Sequence, residues 1–175
     1  MRLLGLIVLF MIKTINIQEP DLAEIRNLYR QAGTEKKASE KLSSLLLKVD
    51  TLADPLLVCY KGASIMIKAK YQFNPLSKLA YFEEGKSWVE KAVSRDPGNS
   101  EIRLVRFSLQ TNLPAFLGYN NAIEEDKKNL IDNYGLLKDS TLKININNFL
   151  SGSKFCSAEE LKKLKKADGK CDTCR

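Results

Sequence analysis

The stretch Tyr81-Phe82-Glu83-Glu84-Gly85-Lys86-Ser87-Trp88-Val89-Glu90-Lys91-Ala92-Val93-Ser94-Arg95-Asp96-Pro97-Gly98-Asn99 decides how the chain is read. Phe82, Gly85, Val89, Ala92 and Val93 recur at spacings of three and four, so they share one face of a helix, with Trp88 beside them. Asp96-Pro97-Gly98-Asn99 ends that helix sharply, because proline carries no amide proton to continue the ladder. The packed face carries two small residues, Gly85 and Ala92. Such a face lets a second helix approach closely.

Toward the N-terminus the same grammar repeats. Asn74-Pro75 opens this helix, and Leu79 extends its face upstream. Asp54-Pro55 opens another in the favoured order, a capping acid followed by proline in the first turn, with Leu56, Tyr60, Ala63, Ile67 and Tyr71 along one side. Earlier still, Pro20-Asp21 precedes the stripe Leu22, Ile25, Leu28, Tyr29 and Ala32, which Gly33 stops. Thr34 is placed to cap a second helix bearing Ala38, Leu42, Leu45, Leu46 and Val49.

Toward the C-terminus, Ser100 opens a helix that is apolar on most sides, with Ile102, Leu104, Val105, Phe107 and Leu109. An element apolar nearly all round belongs at the centre of a fold. Its one polar stripe is Arg103, Arg106 and Gln110. Beyond the break at Asn112-Leu113-Pro114, Tyr119, Ile123, Leu130, Ile131 and Tyr134 mark a sixth helix, with Glu124, Glu125, Lys127 and Lys128 on its outer face. Residues 142–147 alternate like a strand, but Leu142, Ile146, Phe149 and Leu150 suit a helix. Helix is the better reading, because a lone strand has nothing to pair with. Ser157-Ala158-Glu159-Glu160 is a capping box for a short last helix. The expected fold is therefore all-α, with about seven to eight helices packed as antiparallel hairpins over residues 18–167, followed by a loose tail at 168–175.

Gly85, Ala92 and Pro97 stand at the spacing of the small, small and proline positions in the second helix of a tetratricopeptide repeat, and Asp96-Pro97-Gly98-Asn99 resembles the turn between such repeats. Gly62 supplies a small residue in the preceding helix. The likeness covers about one and a half repeats. The segment Gly62 to Gly85 is longer than the family's, and its Trp-Leu-Gly-Tyr signature is absent, so the chain resembles a degenerate relative. Ile102 to Asp126 is similar to small, exported, uncharacterised bacterial proteins with repeat-like helices. The resemblance implies a helical solenoid that binds a protein or peptide partner.

Met1-Arg2 followed by the apolar run Leu3 to Ile12 and then Lys13 matches a secretory signal peptide, expected over residues 1–17, although no A-x-A cleavage pattern is visible. The run is too short to span a bilayer, which needs about 20 apolar residues. Export to the periplasm or the exterior follows, with no membrane span in the mature chain. Removing Arg2 and Lys13 takes the formal net charge from +7 to +5. The surplus at Lys162, Lys163, Lys165, Lys166, Lys170 and Arg175 reads as the solvated face and end of a short helix, and no nucleic-acid partner is expected.

The chain of 175 residues contains no histidine. That removes the usual general base and the commonest metal ligand. No phosphate loop, nucleophile elbow or zincin motif is present. Adjacent Glu83 and Glu84 point in different directions on a helix, so they cannot act on one substrate together. The expectation is a non-enzymatic protein without a cofactor. Arg103, Arg106 and Gln110 are the candidate partner-binding residues, since Arg suits recognition of carboxylates. The rival is that both arginines pair with Glu124 to Asp126 and hold two helices together. An alternative function is that of a structural or metal-stabilised accessory protein. Cys156, Cys171 and Cys174 would then supply thiolates, with Cys59 as a fourth, although Cys59 sits among Leu57, Val58 and Tyr60 in a helix. Cys171-Asp172-Thr173-Cys174 lies too close to the end of the sequence to be followed by the helix that activates a redox pair.

Overall fold

The computed structural model describes residues 21–167, so the expected signal peptide and the Cys-containing tail lie outside the described residues. Eight α-helices and no strand occur among the described residues. They are α1 (Leu22–Ala32), α2 (Lys36–Leu45), α3 (Pro55–Lys70), α4 (Pro75–Arg95), α5 (Ser100–Asn112), α6 (Ile123–Asn133), α7 (Ser140–Gly152) and α8 (Ala158–Ala167). No helix among them is long and apolar enough to cross a membrane.

The helices start where side chains can satisfy free amides. Asp21, Asp54, Asn74, Asn99 and Asp139 each accept a backbone N–H of the first turn, at 2.8–3.2 Å. Pro55 and Pro75 then occupy the first helical position, where a missing amide costs nothing. At α2 the cap departs from expectation. Thr34 donates its hydroxyl back to the Gln31 carbonyl at 3.1 Å, and Glu35 takes the cap position without a side-chain bond. Residues 140–152 form a regular helix that buries Leu142, Ile146 and Leu150.

Consecutive helices pack as pairs, α1 with α2, α3 with α4 and α5 with α6. The first helices of the pairs also touch in order, α1 with α3, α3 with α5 and α5 with α7. The α3–α4 pair is the tightest. A Cβ on Gly62 would lie 2.7 Å from the Gly85 carbonyl oxygen and 2.8 Å from the Val89 amide. A Cβ on Gly85 would lie 2.5 Å from the Gly62 carbonyl oxygen. The two backbones therefore cross where only glycine fits. Below the crossing, Phe82, Val89 and Ala92 are buried, while Leu79, expected on the same face, is half exposed.

Helix α5 joins two apolar cores. Ile102, Val105 and Leu109 pack with α1–α4, around Ile25, Leu42, Val58 and Val89. Phe107 packs on the other side with Leu130, Tyr134, Ile146, Leu150 and Leu164. Burying each such Leu or Ile contributes about 1.5–3 kcal/mol, so α5 is the element both halves depend on.

Candidate partner-binding site

The stripe Arg103, Arg106 and Gln110 lies on the side of α5 that meets α4 and α6, and these residues are only 7%, 5% and 3% exposed. Asp126, fully buried at the start of α6, is the hub. Arg106 grips it with two parallel bonds, Nε to Oδ2 at 2.7 Å and Nη2 to Oδ1 at 2.7 Å. Arg103 adds Nη1 to Oδ1 at 2.9 Å and also reaches Glu125 Oε1 at 2.6 Å. Such forked, charge-assisted bonds are among the strongest polar contacts a protein makes. Glu124, grouped with these acids in the sequence, turns instead to Lys127 at 2.8 Å.

The network continues through Glu90, which the sequence pattern does not single out, and through Tyr119, expected in the sixth helix but lying before it. Arg106 Nη1 donates to Glu90 Oε2 at 2.9 Å, and the Tyr119 hydroxyl donates to Glu90 Oε1 at 2.6 Å. Tyr119 precedes α6 and stacks edge-on against Phe82, with Lys86 Nζ 5.6 Å from its ring centre. Lys127, expected to face outward, is buried and ties α6 to the last hairpin through the Phe155 carbonyl and Glu160. Gln110 accepts the Ala122 amide at 3.3 Å and so fixes the connection between α5 and α6.

A second network joins the first helices. Arg26 forks onto Glu101 at 2.6 and 2.5 Å and also reaches Asp139 at 2.8 Å. Tyr60 donates to the same carboxylate at 2.7 Å, and Tyr29 stacks edge-on against Tyr60 and bonds Ser108. This network links α1, α3, α5 and the cap of α7. The signal was in the sequence: Arg26 beside Ile25, and Glu101 beside Ile102 and off the polar stripe of α5, are charges next to core positions.

Electrostatics follow from this packing. The hydrogen bond from Arg103 holds the Glu125 carboxyl below the usual range, although its exposure limits the effect. Burial opposes the Arg106 charge, but its bonds to Asp126 and Glu90 more than compensate, and its pKa is raised. Burial pushes the Tyr119 hydroxyl and the Cys59 thiol well up, so Cys59 stays a neutral thiol in the core.

Two small clefts open over the first network. One, about 330 Å³, is lined by Arg103, Glu125, Lys128, Asn129, Asp132 and Asn133. The buried Asn129 Oδ1 has no hydrogen-bond partner among the described residues. The other, about 280 Å³, lies over Glu90, Arg106 and Tyr119. Cys156 is half-buried, and its thiol is raised by burial; Cys171 and Cys174, its expected companions, lie outside the described residues. No group of three or more metal-ligating side chains is assembled among the described residues. No known protein family matches the chain, and neither a curated relative nor a solved structure matches it.

Proposed function

We propose that the chain is a non-enzymatic scaffold of stacked helical hairpins, similar to tetratricopeptide repeats, which after export binds a protein or peptide partner in the cell envelope. The hairpin order supports the architecture: pairs follow one another, and their first helices touch in sequence. The polar inventory supports the absence of catalysis. Arg103 and Arg106 are balanced by Asp126 together with Glu125 and Glu90, and the titratable groups of Cys59 and Tyr119 are held in their neutral forms.

The observation that carries the binding role is the cleft at Asn129. An acceptor without a partner among the described residues shares the lining with Arg103 and with Lys128 and Asp132, which pair with each other at 2.7 Å. An extended segment with an N–H or ammonium for Asn129 and a carboxylate that draws the exposed Lys128 from Asp132 fits that lining. Arg103 then forms the charged floor of the site, while Arg106 and the connection that Gln110 holds lie at the neighbouring cleft.

Peptides selected by display against the full chain test this. The selected peptides are expected to bind at least several-fold more weakly to Asn129→Leu and to Lys128→Glu, with melting temperatures close to wild type. Selection of no peptide, or binding indifferent to both changes, contradicts the reading.

A further inference from the structure

The loop between α3 and α4 and the first turn and a half of α4 present apolar side chains to solvent. Phe73 is fully exposed, Leu76 is 77% exposed and Leu79 is 50% exposed. In the connection between α5 and α6, Phe116 is 86% exposed. The two segments flank one contact in sequence, since Phe82 and Tyr119, each three residues beyond Leu79 and Phe116, stack edge-on with centres 6.0 Å apart. Both segments join the two helices of a pair, and they therefore lie at the same edge of the stack. That edge continues to α1, because Tyr71 and Lys70 donate to the Ala32 and Gly33 carbonyls at its end.

Charge singles this edge out. From Pro55 to Phe82 the chain holds no acidic residue; Lys68, Lys70 and Lys78 fall near this edge, while Lys61 reaches back to the Leu46 and Leu47 carbonyls. From Thr111 to Ile123 it holds no charged residue at all. The connections between pairs, by contrast, carry Asp50, Asp54, Asp96 and Asp139 against Lys48 and Lys138. Exposed Phe and Leu at these two turns, with lysines beside them and the nearby α1–α2 turn carrying Glu35 against Lys36 and Lys37, complement an anionic lipid surface: the apolar side chains enter the headgroup boundary while lysines face phosphates. We propose that this edge, through Phe73, Leu76, Leu79 and Phe116 with Lys70 and Lys78, docks the protein onto an anionic membrane surface. The docking is peripheral and leaves the cleft at Asn129, on α6, as a separate feature.

Sedimentation of the full chain with phosphatidylcholine vesicles, with and without phosphatidylglycerol, tests the proposal. Binding is expected to need phosphatidylglycerol and to weaken with salt. The variant Phe73→Ser/Leu76→Ser/Phe116→Ser should bind weaker by on the order of tenfold or more, since affinity scales with buried apolar area. Its melting temperature should stay near wild type, because all three side chains are exposed. The control Leu52→Ser/Leu136→Ser, on connections between pairs, should bind like wild type. Emission of Phe73→Trp should shift to the blue on adding anionic vesicles, relative to the parent chain. No vesicle binding, equal binding by the triple variant, or loss only in the control overturns the proposal. So does an unshifted Phe73→Trp emission, which is the outcome if the edge instead seats a protein.

Discussion

Two neighbouring hairpins of this molecule are closed by opposite means. In α3–α4 the backbones meet at Gly62 and Gly85, and the faces around that crossing are uncharged. In α5–α6 the contact runs through Arg103, Arg106, Glu125 and Asp126, with Asp126 wholly buried. The first depends on the absence of side chains and loses stability when atoms are added. The second depends on charge balance and loses stability when one partner is removed. A close approach of backbones has one geometry, whereas a buried ion cluster could be replaced by apolar groups of similar shape with little loss. The charged hairpin is thus the part whose polar residues invite a functional explanation, and the glycine hairpin is the part that holds the stack.

The sharpest way to break this contrast is Asp126→Leu. It removes the one fully buried carboxylate that two guanidiniums share, leaving Arg103 with the exposed Glu125 and Arg106 with the part-exposed Glu90, and a loss of about 3–5 kcal/mol is expected in urea unfolding. A loss below about 1 kcal/mol would mean that water reaches the cluster and that it is a surface feature.

Gly85→Ala probes the other hairpin. The added methyl meets the Gly62 carbonyl and the Met66 amide, so helices must separate, at a cost of about 1–3 kcal/mol or more. Gly98→Ala, where nothing lies near the added carbon, serves as the control and should change stability by about 0.5 kcal/mol at most. Equal effects at the two sites would remove the argument for a backbone crossing.

How much of this could be read beforehand differs between the two hairpins. Gly85, Ala92 and the Asp96-Pro97 turn state the close packing of α4 in local terms, because small residues at helical spacing have few other uses. The polar stripe of α5 was also visible, but its direction was not. Arg103, Arg106 and Gln110 would look the same facing solvent or facing α6, and only the position of Asp126, 20 residues beyond Arg106, decides it. Glu90 carries no such signal, and Tyr119 shows only as a member of the sixth-helix stripe, for the same reason: their roles arise from contacts between elements. Leu79 misled, since the periodicity of α4 continues past the point where α3 ceases to cover it.

Acid gives a smaller, graded test. Glu125, Asp139 and Glu160 are held below the usual carboxylate range, by Arg103, by the Leu142 amide and by the Ser157 amide respectively. A carboxylate with a lowered folded-state pKa stabilises above its unfolded value and ceases to do so as pH falls through the folded value. The melting temperature should therefore hold from neutrality to about pH 5 and decline below about pH 4. None of the three lies in α3–α4, so amide exchange should quicken first in α5–α8. Quickening that begins in α3–α4 would contradict the assignment.

The central claim is that Asp126 and Arg106 stabilise as a pair. A double-mutant cycle of Arg106→Met and Asp126→Leu, read by urea unfolding, measures that coupling directly. The account predicts that the double variant is more stable than Asp126→Leu alone, with a coupling of about 1.5 kcal/mol or more, because removing the second charge relieves the first. Strictly additive losses would contradict it and would leave the two arginines free for another role.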